Sequence, residues 1–275
     1  MLLMRAFSIS PGELIASVVR NRALIAALVK REVIGRYRGS MLGILWSFFN
    51  PVFMLAVYTF VFSVVFKARW GAGSDSKTEF ALVLFTGMLV FGLFSECVTR
   101  APGLILANAN YVKKVIFPLE ILPWVALGSS IFHMLISLGV WLLFYVPLFG
   151  VPGITALLFP VVMLPLVLLT LGLSWFLASL GVYLRDVSQL IGILTTALMF
   201  LSPIFFPVTA LPEEFRPLLN LNPLTPAIES ARDVLIWGRE PDWALLGASL
   251  AASTLVAWLG FAWFQKTRKG FADVI

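Results

Sequence analysis

Charged residues are scarce in this chain of 275 residues, because Asp, Glu, Lys and Arg make up only 12% of it. A soluble domain uses about 25%, since its surface must bind water. Hydrophobic residues account for 60%, and the mean hydropathy is +0.97. Much of the exterior must therefore face lipid. The composition excludes a soluble enzyme, a secreted protein and a disordered chain.

Cysteine and histidine are nearly absent. Cys97 is the single cysteine and His133 the single histidine. One cysteine cannot form an internal disulfide, and one histidine cannot build the ligand set of a zinc site. A catalytic set of nucleophile, base and orienting acid cannot be assembled around one histidine either. We therefore expect no metal, no cofactor and no catalytic residue in this chain.

A phosphate-binding loop is also missing. The closest approach, residues 71–78, lacks the glycine that precedes lysine in such loops and follows no soluble α/β pattern. If this protein performs work, another chain must supply the energy.

Long runs without a charged residue predict the membrane spans. A helix needs about 20 apolar residues to cross the hydrocarbon core. The run 121–184 is too long for one helix, and turn residues at 146–153 divide it into two. The sequence thus predicts an all-α integral membrane protein with six spans, at 41–66, 80–98, 121–147, 153–183, 188–206 and 243–264.

The distribution of Lys and Arg orients these spans. Alternate loops and both ends together hold 14 of these residues, and the opposite side holds 6. Cytoplasmic loops carry the excess of basic residues, so both termini are predicted to be cytoplasmic. The same asymmetry explains the net charge of +6 and the pI near 9.7 without nucleic acid, which we exclude as a partner.

The first 40 residues predict an amphipathic helix ahead of the first span. Ser10 can cap it, Pro11 suits the first helical position and Glu13 would complete a capping box. From 14 to 38 the segment mixes apolar and basic residues, which is typical of a helix on an anionic leaflet. The interpretations left open are a lipid-surface anchor and a docking surface for a cytoplasmic partner. Glycines at 35, 39 and 43 would form a smooth ridge if the helix were continuous.

Two connecting segments have features beyond those of simple loops. The inner loop 100–120 predicts a short helix, at about 101–117, which either rests on headgroups or fits a groove of a cytoplasmic protein. The outer segment 207–242 has helix-start patterns at 211–214 and 224–226 and a stop at Gly238. It predicts two short helices, at about 211–238, which lie at or dip into the outer leaflet.

Aromatic and ionisable residues in the spans are candidates for function. Trp46, Phe49, Phe53 and Tyr58 of the first span are either lipid-facing filler, which composition favours, or a wall on which sugars stack. Ionisable groups at membrane depth are costly, so each is a functional candidate. We predict pairing at the interface for Glu96, Arg185 and Asp186. For His133, a neutral side chain hydrogen-bonded across helices is favoured over a proton relay.

Several motifs occur in order along most of the chain and together resemble those of type-2 ATP-binding-cassette (ABC) export permeases, in the polysaccharide branch. They are Arg36-Tyr37-Arg38-Gly39-Ser40, Leu42-Gly43-Ile44-Leu45-Trp46, Asn50-Pro51, Val57 to Phe62, Asn108 to Pro123, Tyr183 to Gln189, Ser202 to Pro207 and Asn222-Pro223.

The resemblance implies a homodimer of six-helix subunits that binds two cytoplasmic ABC ATPase subunits, which hold the ATP and Mg²⁺. It implies an interface helix at 1–40, a permease domain at 41–264 with a coupling helix and outer reentrant helices, and a cytoplasmic tail at 265–275. It raises the weight of the sugar-stacking wall, because the family's path runs between subunits along spans one and five.

The resemblance also gives roles to particular residues. Residues assigned to ATPase docking and coupling are Arg31, Arg36, Arg38, Asn108, Tyr111, Lys113 and Lys114. A polar group at interface level comprises Glu96, Arg185, Asp186, Ser188 and Gln189.

The function implied is export of lipid-linked polysaccharide, of the O-antigen, capsule or teichoic-acid type, across the inner membrane, in contact with membrane lipids. The alternatives are a permease for a lipid, drug or other small amphiphile and, from another class, a membrane-embedded transferase acting on lipid-linked sugar. An ion-coupled carrier is disfavoured because no carboxylate pair lies midspan.

Overall fold

A computed structural model describes residues 8–65, 70, 77–112 and 117–275, and every regular element in them is helical. The α-helices are α1 Pro11–Tyr37, α2 Trp46–Tyr58, α3 Lys77–Arg100, α4 Ala109–Val112, α5 Leu122–Phe149, α6 Phe159–Tyr183, α7 Val187–Leu201, α8 Arg216–Leu221, α9 Leu224–Arg232, α10 Trp243–Thr267 and α11 Phe271–Val274. Short 3₁₀ turns join many of them, and π-helical turns follow α2 and α9.

Within the described ranges, five helical segments are long and apolar enough to cross a membrane. They are Gly43–Phe62, Thr78–Gly103, Leu119–Phe149, Ile154–Tyr183 and Trp243–Val274. They match five of the six predicted spans, so the chain is a multi-pass membrane protein.

The remaining predicted span, 188–206, is shorter than expected. Its helix, α7, has 15 residues and therefore reaches about 22 Å, against a hydrocarbon core of about 30 Å. It ends because the residue before a proline is driven out of the helical region, and Ser202 has an extended backbone ahead of Pro203 (φ −94°, ψ 152°). The count of six full spans is therefore not confirmed.

Helix α3 lies at the centre of the fold. Most of its residues from Phe80 to Val98 are buried, and it packs against α2, α5, α6, α7 and α9. Two tryptophans complete the core: the Trp141 indole donates to the Leu82 carbonyl at 3.3 Å, and the Trp175 indole donates to the Glu120 carbonyl at 3.0 Å. A buried indole N–H needs such a partner.

Helices α6 and α10 form the most extensive helix pair in the structure. They approach closely because glycines stand at the crossing: a Cβ on Gly172 would lie 2.5 Å from the carbonyl oxygen of Val256. Small residues permit this approach of two backbones in membrane helices. The sixth predicted span is thereby held firmly against the fourth.

The predicted start of α1 is confirmed, and its capping box is half formed. The Ser10 hydroxyl accepts from the Glu13 amide at 3.3 Å. The Glu13 carboxylate, however, binds Arg20 at 2.6 Å instead of the Ser10 amide, which donates to the Ser8 hydroxyl at 3.4 Å.

The predicted glycine ridge is wrong, because the helix is not continuous. It ends at Tyr37, and Gly39 and Gly43 have φ of +86° and +52°, values that favour glycine over residues with a Cβ. These two glycines turn the chain from α1 into the first span.

The outer segment contains the predicted short helices. A 3₁₀ turn at Glu213–Phe215 leads into α8, and α9 continues as a π-helical turn at Asp233–Trp237. Gly238 ends it in the left-handed conformation, with φ of +62°, as the stop pattern predicted.

Candidate functional site

The predicted docking residues Arg31 and Tyr111 meet between α1 and the inner loop. Arg31 Nη1 donates to the Tyr111 hydroxyl at 2.8 Å, although the two are 80 residues apart. The Tyr111 ring in turn stacks on Phe117, with centroids 4.1 Å apart and planes inclined by 7°. Tyr111 is thus held at its hydroxyl by Arg31 and on one face of its ring by Phe117, and the bond to Arg31 ties the loop to α1.

The inner loop differs from a single helix. It runs through turns at Ala101–Gly103 and Leu106–Asn108 before the short α4. Asn108 stabilises this path, because its amide donates to the Leu104 carbonyl at 2.9 Å. Lys113 and Lys114 lie outside the described residues.

A polar cluster joins α1, α3 and α5. Arg36 Nη1 lies 2.7 Å from Glu96 Oε1, and His133 Nδ1 lies 3.1 Å from the same oxygen. The Tyr37 hydroxyl approaches His133 Nε2 at 3.1 Å. His133 has no acidic residue on its own helix, and the fold supplies the carboxylate from α3. Arg38, by contrast, is exposed at the end of α1.

A second ion pair extends this cluster. Arg100, one turn after Glu96 on α3, donates to Glu32 of α1, and both side chains are partly buried. Sequence reasoning missed this pair, because residues 68 positions apart carry no spacing signal. The consequence is that α1 is held to α3 by two adjacent charge pairs.

The aromatic residues of the first span divide between two faces. Trp46, Phe49 and Phe53 follow one another along one side of α2, and their exposed fractions of 48%, 46% and 64% show that the described residues leave them largely uncovered. Tyr58 faces the other way, with ring centroids 6.4 Å from Phe62 and 6.1 Å from Phe205.

The Tyr58 face borders a cavity of about 210 Å³ between α2, α3 and α5. Polar side chains line its inner end, where the Arg36, Glu96 and His133 cluster lies, and Ser47, Asn50 and Ser137 line its walls. Of the four aromatic candidates, Tyr58 is the one that lines this cavity.

The turn between α6 and α7 holds the rest of the predicted polar group. Arg185, Asp186, Ser188 and Gln189 are exposed, and the Asp186 carbonyl accepts from the Gln189 amide at 3.1 Å. Within the described part of the chain, no ion pair joins Arg185 or Asp186 to another side chain, and Glu96 lies in the separate cluster. Their role at the interface stays a prediction.

Among the described residues, Arg232 is the most deeply buried cation, and it was not among the predicted residues. Its guanidinium donates to the carbonyls of Val83 at 3.2 Å, Pro203 at 2.6 Å and Ile204 at 3.0 Å, and to Glu229 at 2.7 Å. Its charge also lies 4.2 Å from the centroid of the Trp70 ring. Burial lowers the pKa of Arg232 to about 10, still far above neutral pH, so the group remains charged. The sequence pattern that could have pointed to Arg232 was its spacing of three positions from Glu229 on a predicted helix.

In the part of the chain that the structure describes, five apolar helical segments of spanning length, with α1 held to one end of α3 by charge pairs, define an all-helical multi-pass membrane protein. The model of the ABC-2 type transporter family matches residues 23–236, so the chain belongs to that family. It is a membrane subunit of a transporter rather than an enzyme, as the motifs predicted.

Two curated relatives extend the match over nearly the whole chain. An O-antigen export system permease protein, RfbA, of Myxococcus xanthus is 30% identical over 274 residues, covering 95% of this chain and 99% of the relative. A protein of the same name from Klebsiella pneumoniae is 24% identical over 253 residues, covering 92% and 95%.

Proposed function

We propose that this chain is the permease of an ATP-driven exporter that carries lipid-linked O-antigen polysaccharide across the inner membrane. The observation that carries the proposal is the 30% identity, over nearly the full length of both chains, to a permease named for O-antigen export. Family membership supports the transporter role independently.

The proposed topology has six spans, both termini in the cytoplasm and the outer helices reentrant. Support for counting 188–206 as a span comes from α7, which is apolar although it has only 15 residues. The excess of Lys and Arg at the ends and in alternate loops supports the orientation.

The proposed assembly is a homodimer bound to two ABC ATPase subunits, which hold ATP and Mg²⁺. Two uncovered apolar faces support it: that of Trp46, Phe49 and Phe53 on α2, and that of Ile193 and Phe200 on α7. An exposed apolar face on a membrane helix contacts lipid or another subunit. In the dimer these faces would border the path along which the polysaccharide moves, with the α2 aromatics offering surfaces for sugar rings.

The proposed docking surface for the ATPase is the inner loop together with the basic end of α1. Arg31 and Tyr111 are hydrogen-bonded to each other, and Arg36 is paired with Glu96. A push on the loop would therefore reach α1 as well as α3 and α5, the two spans that the loop connects.

A deletion strain tests the function. Cells that lack this chain should have no surface O-antigen and should retain lipid-linked polymer inside, and a plasmid copy should restore export. Surface glycan is measured by labelling intact cells with a probe for O-antigen. Internal polymer is measured in the inner-membrane fraction of broken cells. Normal surface O-antigen in the deletion strain would contradict the proposal.

A further inference from the structure

Glu120 is a buried carboxylate at the point where the inner loop enters α5. Only 6% of its surface is exposed, and it lies in the turn Leu119–Ile121. Its Oε1 accepts from the Ser17 hydroxyl of α1 at 3.2 Å. Its Oε2 accepts from Nη1 of Arg268, which follows α10, at 2.6 Å. The side chains of Glu120 and Arg268, taken without their backbone atoms, are each 8% exposed.

Each partner of Glu120 belongs to a different part of the fold. Its backbone carbonyl also accepts from the Trp175 indole of α6. A buried charge is stable only when it is paired and hydrogen-bonded, so these contacts are mutually dependent. The position of Glu120 therefore fixes α1 and the end of α10 relative to the inner loop.

The end of the chain is folded onto the spans rather than extended. Arg268 Nη1 donates to the Gln265 side chain at 3.0 Å as well as to Glu120. Phe271 is completely buried, with its ring centroid 5.5 Å from that of Phe264. The Tyr183 hydroxyl of α6 donates to the Thr267 carbonyl at 2.9 Å. The predicted cytoplasmic tail is thus packed against α6 and α10.

We propose that Glu120 and Arg268 are positioning residues that make the end of the chain a third element of energy coupling, beside the inner loop and α1. The inference rests on the proposed function. When the ATPase displaces the inner loop, Glu120 transmits the movement to α1 through Ser17 and to α10 through Arg268. Because α10 is closely packed against α6, the displacement reaches two spans that the inner loop does not join.

The test uses the full chain assembled with its ATPase subunits. Arg268→Met breaks the branch to α10, and Ser17→Ala breaks the branch to α1 without removing a charge. Arg20→Gln is the matched control, because Arg20 is a basic residue of α1 whose ion pair with Glu13 is exposed. For each variant, ATP hydrolysis by the purified complex and surface O-antigen in complemented deletion cells are compared with wild type.

The expected result is uncoupling. Both variants should assemble and hydrolyse ATP. The amount of polysaccharide exported per ATP hydrolysed should fall roughly tenfold for Arg268→Met, which is a typical size for the coupling between two sites. It should fall by less for Ser17→Ala. The exchanged pair Glu120→Arg with Arg268→Glu should regain part of this ratio. Arg20→Gln should match wild type.

A second measurement is independent of the polysaccharide. ATP binding to the wild-type complex should change hydrogen exchange of residues 268–275 together with that of α1, and Arg268→Met should abolish only the change in 268–275. An assembled Arg268→Met complex with the wild-type ratio and exchange response would overturn the inference. If that variant does not assemble, a wild-type complex in which ATP binding leaves the hydrogen exchange of residues 268–275 unchanged overturns it. A wild-type complex that exports no polysaccharide would instead contradict the proposed function.

Discussion

Replacing Arg232 by methionine should strongly destabilise the region where α9 packs against α3 and the turn after α7. The guanidinium bonds to α3 through Val83, to the turn after α7 through Pro203 and Ile204, and to Glu229 on its own helix. Gly87 makes this possible, because a Cβ there would lie 2.8 Å from Arg232 Nη2. Methionine fills similar space but leaves the carbonyl oxygens without this donor.

The magnitude follows from the burial of the group. Breaking a buried, hydrogen-bonded charge costs about 3–5 kcal/mol when one partner is removed. The Glu229 side chain is 39% exposed, so water can replace its lost partner. The loss of stability should therefore fall in the lower part of that range. For a chain of this size the loss lowers the melting temperature by about 10 °C.

The assay can use the single cysteine of the chain. Cys97 is 1% exposed, so a thiol-reactive fluorophore reports unfolding in detergent as the temperature rises. Arg216→Met is the matched control: Arg216 also donates to a backbone carbonyl, that of Leu211 at 3.1 Å, but its side chain is 39% exposed. The control should change stability by less than about 1 kcal/mol. Equal melting temperatures for the two variants would refute the role given to Arg232.

Three further predictions use the same purified protein. Gly172→Ala should destabilise the α6–α10 contact by about 1–3 kcal/mol because the added methyl overlaps a carbonyl of α10. Gly192→Ala, a glycine inside α7 with open space around it, should be neutral or slightly stabilising in the same melting assay. Cys97 should stay unlabelled by maleimide in the folded protein and react after denaturation, as measured by mass spectrometry; rapid labelling of folded protein would contradict its burial. Glu96→Gln should cost about 1–2 kcal/mol by removing the anion that Arg36 and His133 share, and an unchanged melting temperature would argue against that cluster.

The positions of the spans along the chain could largely be predicted from the sequence, because a segment in lipid must be apolar and a segment in water polar. Runs without charge predicted the five long helices, and the Ser10 cap and the Gly238 stop depend on neighbouring residues only. The shorter α7 was missed because the run of apolar residues continues to Phe206, past the proline that ends the helix.

The contacts that organise the candidate site could not be predicted in the same way. Glu96 and His133 meet across two helices, and Arg232 binds carbonyl oxygens, which have no signature in the sequence. The glycine ridge failed because spacing does not reveal the sign of φ, which is positive at Gly39 and Gly43. Long-range pairing and backbone geometry needed the folded chain.

Reconstitution in lipid vesicles tests whether an ABC ATPase drives this permease. The purified chain is placed in lipid vesicles with and without its ABC ATPase subunits, and transfer of lipid-linked O-antigen is measured after ATP is added on the side of the ATPase. We predict transfer only when the ATPase and ATP are both present. Transfer against a gradient by the chain alone would contradict the proposal that an ABC ATPase powers export.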